Sequence, residues 1–205
     1  MNTRSQMVYI VDDDPSVVES LQMLLATENI EAMAFTNATE FQEICSHSMR
    51  GCVLLDIQMP TISGIELQRW LVDNGIDIPI IFLTGVGDIP LSSEAFRKGA
   101  LDFIEKPFDN GKLLERIREA LTRDCEQWHR RLRRKSLKDR FDRLTPREKE
   151  ILKWVSAGYS SKEIAKTVGI SSRTIDVHRA HLVDKLEVGS LAELVTFMVE
   201  LELDP

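Results

Sequence analysis

The feature that most constrains this chain is an alternation in its first 124 residues. Five apolar, strand-length runs recur there: MVYIV (7–11), EAMAF (31–35), GCVLL (51–55), IPIIFLT (78–84) and ALDFIE (100–105). Between and after them lie segments with helical apolar stripes, at 15–29, 38–47, 64–74, 90–99 and 109–123. In the first of these, Val17, Val18, Leu21, Leu24 and Leu25 fall on one face. Strand-sized runs this apolar must be covered on both sides. Five of them alternating with five helices predict a five-stranded, doubly wound parallel sheet with right-handed crossovers.

In such sheets ligands collect beyond the carboxyl ends of the strands, and here those ends carry reactive groups. The first run leads into Asp12, Asp13 and Asp14; the third into Asp56; the fourth ends on Thr84; the fifth is followed by Lys106 and Pro107. Asp14, placed before Pro15, reads as a helix cap. The remaining acids, the hydroxyl and the ammonium converge on one edge. A strand ending on a buried aspartate is expensive unless the charge is shared. Clustered carboxylates raise one another's pKa unless a cation sits among them. An oxygen-rich site with few protein ligands suits Mg²⁺. A carboxylate can act as a nucleophile and become an aspartyl-phosphate, with metal and lysine neutralising the phosphoryl oxygens.

Two other chemistries of such a sheet fit less well. A flavin phosphate needs a Gly, Ser or Thr loop after the first strand, whereas DDDP would repel it. A haloacid-dehalogenase-type phosphatase resembles D-x-D, and Gln58 stands where its second acid would be. An enzyme acting on external substrates is therefore not expected.

The net charge of −7 hides an asymmetry. Residues 1–124 hold 20 acidic against 10 basic residues, and residues 125–205 hold 13 against 16. An acidic half joined to a basic half predicts two domains with different partners, nucleic acid suiting the basic one. No apolar run is long enough to span a membrane, the start lacks a secretory pattern, and Cys45, Cys52 and Cys125 show no metal-ligand spacing. Reduced thiols in a cytoplasmic protein are expected.

The basic half punctuates itself. Thr145 with Glu148, Ser160 with Glu163 and Ser190 with Glu193 have capping-box spacing, Pro146 suits a first helical position, and Gly158 and Gly169 suit helix ends. Four helices result, and 160–168 with 172–187, joined by GIS, read as a helix-turn-helix. On the second of these helices Ile175, Leu182 and Leu186 point one way with His178 near them, whereas Arg173, Val177, Ala180, His181 and Asp184 point the other. An exposed Val and Ala among polar groups suit a major groove. The intervening segment 125–144 is polar and basic. It reads as a charged helical linker, with RRLRRK open to contact DNA phosphates instead.

VDDDPSV, LLDIQMPTISG, FLTG and FIEKPF resemble the receiver domain of two-component response regulators, which has a flavodoxin-like fold. LTPREKEIL, GYSSKEIAKTVGIS, TIDVHRAHLVDKL and AELV resemble the LuxR-type helix-turn-helix domain. Together the chain resembles a FixJ/NarL-type response regulator, nearer FixJ by TGVGDIP and DFIEKPF. The resemblance implies an α/β receiver over 1–124, a helical linker over 125–140, and an all-α, four-helix DNA-binding domain over 141–205. It implies Asp56 as phospho-acceptor and Asp12, Asp13, Asp56 and the Gln58 backbone carbonyl as Mg²⁺ ligands. Thr84 and Lys106 align with the switch hydroxyl and the phosphate-contacting lysine, and Phe103 with the switch aromatic, here without a hydroxyl. In that family the Lys106–Pro107 bond is typically cis. Base-reading positions align with Asp176, Val177 and Ala180, while Arg173, Thr174, His181 and Lys185 suit phosphate or positioning contacts. The implied partners are a sensor histidine kinase, promoter DNA, RNA polymerase and, on phosphorylation, a second copy of the chain. The other reading is a DNA-binding regulator whose receiver makes protein contacts without phosphorylation.

Overall fold

The computed structural model describes residues 6–85 and 100–202. The chain divides into two compact units, Met1–Trp128 and His129–Pro205. In the first, strands β1 (Met7–Val11), β2 (Ala32–Phe35), β3 (Gly51–Asp56), β4 (Ile80–Thr84) and β5 (Asp102–Glu105) alternate with helices α1 (Pro15–Thr27), α2 (Ala38–Ile44) and α3 (Gly64–Asp73), and helix α4 (Asn110–Asp142) follows β5. The helix expected over 90–99 lies outside the described residues.

All strand pairs are parallel, in the order β2-β1-β3-β4-β5. Every residue of the central β3 is buried, which explains its unbroken apolar run. One face of the sheet packs a core of Tyr9, Val11, Phe41, Val53, Leu55, Leu71 and Phe82. The other packs Val8, Ile10, Leu21, Leu25, Leu54, Ile81, Leu113 and Ile117. Alternate residues of each strand thus feed opposite cores.

Helix α1 starts where expected: the Asp14 side chain accepts from Ser16 N–H and Pro15 follows the cap. Helix α3 starts on a capping box between Ser63 and Glu66 that the S-x-x-E spacing encodes.

In the second unit α5 (Pro146–Ser156), α6 (Ser161–Val168), α7 (Ser172–Lys185) and α8 (Leu191–Glu202) surround Ile151, Leu152, Ile164, Ile175, Leu182, Leu186 and Phe197. Capping boxes at Thr145–Glu148 and Ser160–Glu163 start α5 and α6. Gly169 caps α6 at φ 73°, a left-handed turn that glycine adopts without strain.

The segment 125–140 lies within helix α4, as the helical-linker reading expects, but it is not solvated throughout. Trp128 packs under the Arg50 guanidinium, 4.7 Å from ring centroid to Cζ, within the first unit. Leu137 and Leu144 are buried in the second core, with Phe141 against it. Their spacing of four and three residues is a helical stripe, masked in the sequence by the surrounding basic residues. Within RRLRRK, Arg133 is held by Glu200. Among the described residues no helix is long and apolar enough to cross a membrane.

Candidate functional site

The sheet brings the predicted strand-end residues together. Carboxylate oxygens of Asp12, Asp13 and Asp56 lie within 4.8 Å of one another. Lys106, just past β5, reaches back across the edge: its Nζ donates to Asp12 Oδ2 at 2.6 Å and to Asp56 Oδ1 at 2.8 Å. Asp12 is fully buried and Asp56 nearly so, while Asp13 is exposed. Asp12 Oδ1 also accepts the Asp14 N–H at 3.1 Å, so the start of α1 orients it. The Lys106–Pro107 bond is cis.

The electrostatics follow from this crowding. Burial raises the Asp56 pKa above the ordinary carboxylate value, and the charges of Asp12 and Asp13 add to that rise; the hydrogen bond and charge of Lys106 oppose it without cancelling it. For Lys106 burial pulls downward, but its bonds to Asp12 and Asp56 and their charges outweigh it and leave its pKa raised. Among the described residues, three carboxylates thus face one ammonium. The donor set fits Mg²⁺: hard oxygen ligands, an open side at Asp13, and an excess of negative charge.

Thr84 ends β4, and its hydroxyl makes a long, 3.4 Å bond to the Gly85 carbonyl. Phe103, two strand positions before the end of β5, is half-buried. Gln58 sits exposed in the loop after β3.

The strand-end reasoning missed Gly64. A Cβ there would overlap the Asp56 carbonyl oxygen, and the Gly64 N–H donates to the Ile57 carbonyl at 3.0 Å. Helix α3 can therefore press directly on the backbone that carries Asp56. The sequence signal was the Ser-Gly pair at the helix start.

On α7, Arg173, Val177, Ala180, His181 and Asp184 are exposed, and Ile175, Leu182 and Leu186 are fully buried, as the helical wheel expects; Thr174 and Asp176 are exposed as well. Thr174 also serves the helix start, its N–H donating to Ser171 Oγ at 3.1 Å. Asp176 accepts from Ser161 Oγ at 2.6 Å, and Arg179 donates to that same hydroxyl at 3.3 Å. The two helices of the helix-turn-helix are tied there by a pair the sequence reading did not single out.

Lys185, expected among the phosphate or positioning contacts, has a partner within its own unit. Its ammonium donates to both carboxylate oxygens of the buried Glu148, each at 2.8 Å. The sequence reading did not anticipate this partner on α5.

A family model for the response regulator receiver domain matches residues 8–118, and one for bacterial regulatory proteins of the luxR family matches residues 142–198. The chain is 39% identical over 195 residues to the response regulator protein TodT of Pseudomonas putida, covering 95% of this chain and 86% of that protein. It is 39% identical over 188 residues to the transcriptional regulatory protein FixJ of Azorhizobium caulinodans, covering 92% and 89%. The low-resolution structure of the response regulator StyR superposes with a TM-score of 0.91 at 38% identity, over 96% of this chain and 100% of that one.

Proposed function

Because the chain belongs to the LuxR-type two-component response regulators, with a receiver and a LuxR-type DNA-binding domain, we propose that it is a transcription regulator switched by phosphorylation of Asp56. The observation that carries this reading is the convergence of Asp12, Asp13 and Asp56 within 4.8 Å, bridged by Lys106.

In this reading an Asp56 oxygen attacks the phosphorus of a phosphohistidine on a sensor histidine kinase. The new O–P bond forms as the P–N bond breaks, its electron pair leaving on the imidazole. Lys106 stands within reach of the phosphoryl oxygens and loses its Asp56 partner to them. Asp12, Asp13, Asp56 and the Gln58 carbonyl are the groups that would hold Mg²⁺, whose charge when bound would offset that of the phosphoryl group. Thr84 turns toward the new anion and Phe103 repacks, altering the surface of β5. The phosphorylated chain dimerises, reads promoter DNA through α7 and engages RNA polymerase, in the cytoplasm.

On α7 the exposed Asp176, Val177 and Ala180 are assigned to bases, and Arg173, Thr174 and His181 to phosphates or positioning. The acid at 176 favours a cytosine amino group.

The test is labelling by a small phosphodonor with Mg²⁺. Asp56→Asn abolishes the hydroxylamine-sensitive label, and Asp13→Ala weakens Mg²⁺ binding in a folded chain. Undiminished labelling of Asp56→Asn, with no substitute acceptor mapped to Asp12 or Asp13, would sink the assignment.

A further inference from the structure

The aromatic at 103 has no hydroxyl, so any bias on its ring must come from packing. Phe82 on β4 and Phe103 on β5 are register partners in the parallel ladder. Their ring centroids are 5.1 Å apart with planes 16° from parallel. Phe82 is fully buried in the core of that sheet face, whereas Phe103 is half-buried on the strand that ends the sheet. Thr84 follows Phe82 by two residues and therefore shares its face. The buried ring, the half-buried ring and the switch hydroxyl thus occupy one corner of one face.

We propose that Phe82 is a positioning residue of the switch: its ring is the flat seat that holds Phe103 inward before any phosphoryl group arrives. This rests on the reading that Asp56 phosphorylation acts through Thr84 and Phe103. A stacked aromatic pair shifts a two-state population by about two- to tenfold beyond what area burial provides. Leucine at 82 keeps an apolar, strand-compatible side chain but offers no flat face. The seat therefore sets how far the unphosphorylated protein already leans toward one ring position, and how much change phosphorylation has left to make.

The experiment places 4-fluorophenylalanine at 103 in the full chain and reads its ¹⁹F resonance and solvent isotope shift, with and without phosphodonor and Mg²⁺. The comparison is between the native residue at 82, Phe82→Leu and Phe82→Met, the last serving if the leucine variant does not fold. In the unphosphorylated chain, loss of the ring at 82 raises the outward, solvent-exposed population of residue 103 by about two- to tenfold. A general packing defect would not single out that resonance. An unchanged resonance and isotope shift in a folded variant overturns the proposal. So does a native ring that is already fully solvent-exposed. Label on Asp56 is measured in the same samples. Its absence, or a 103 resonance in the native chain that ignores it, defeats the switch reading instead. The unphosphorylated comparison still decides whether Phe82 holds the ring.

Discussion

Strand β3 carries buried ionic groups at both ends, and the two ends are built oppositely. Just before its first residue, Arg50 Nε meets Asp124 Oδ2 at 2.8 Å, both side chains almost wholly buried. Gln6 Nε2 donates to the same oxygen at 2.9 Å, and the guanidinium is covered by Trp128. Among the described residues, one cation meets one anion there. At the last residue, Asp56 shares a single ammonium with Asp12 while Asp13 stands beside them. A closed pair can serve a scaffold, since its charges cancel locally. An acid surplus is unfavourable for folding and makes sense only where a cation or reaction uses it. In the second unit, Lys185 with Glu148 belongs to the closed kind.

Breaking the closed end has the largest expected effect. Asp124→Ala strands the Arg50 guanidinium and lowers stability by about 3–5 kcal/mol, measured by urea unfolding. Replacing both partners by apolar residues of similar size is close to neutral. A single-variant loss below about 1 kcal/mol would show that this end is not closed and remove the contrast.

Next comes the pair in the DNA-binding unit. Lys185→Met removes two charge-assisted bonds and lowers the stability of that unit by about 1.5–3 kcal/mol. Burial pushes the Glu148 carboxyl upward, but the Lys185 bond, the Thr145 N–H and hydroxyl, and the lysine charge together bring its pKa down to about 2. A depressed folded-state value stabilises the unit above the ordinary carboxylate pKa of 4.5. That contribution is lost as pH falls from there through about 2. Amide resonances of residues 144–198 followed across this window give the acid dependence, which is shallower in Lys185→Met. Equal dependence in both chains would mean that Lys185 does not hold Glu148 ionised.

The open end has the opposite sign. Asp56→Asn relieves acid crowding and raises stability in magnesium-free buffer by roughly 0.5–2 kcal/mol, read from the unfolding midpoint. Mg²⁺ then raises the midpoint of the native chain more than that of the variant. A destabilised Asp56→Asn would mean that the Lys106 bond outweighs the crowding.

The smallest effect separates open from engaged cations on α7. Arg173→Ala makes the salt dependence of DNA binding shallower by about 0.9 in slope. Lys185→Met leaves the slope unchanged. If the two exchanged behaviour across a salt series, Lys185 would leave Glu148 for DNA.

Which parts of this were legible in the sequence follows from how local each signal is. The strands, their order of appearance and the caps at Asp14, Thr145 and Ser160 rest on neighbouring residues, and the structure has them. The Asp12–Asp13 pair, Asp56 and Lys106 are far apart in sequence, yet all sit at carboxyl ends of parallel strands, so topology alone predicts their meeting. Arg50 with Asp124, 74 residues apart, and Lys185 with Glu148, 37 apart, obey no such rule. They pair because packing happens to bring two faces together, and a helical wheel says which way a side chain leaves the axis but not what waits there. The split of 125–140 between the two units was hidden in the same way, by the few apolar residues in a basic run.

The close approach at Gly64 carries a consequence for mutational tolerance. In a saturation library, its neighbour Ser63 should accept Thr, Asp or Asn, which cap a helix equally well. Position 64 should accept none of the other nineteen side chains without moving backbone, because every one begins with a carbon that would overlap the Asp56 carbonyl. Asp56 therefore extends its sequence requirement eight residues downstream, to a position that contributes no chemistry of its own.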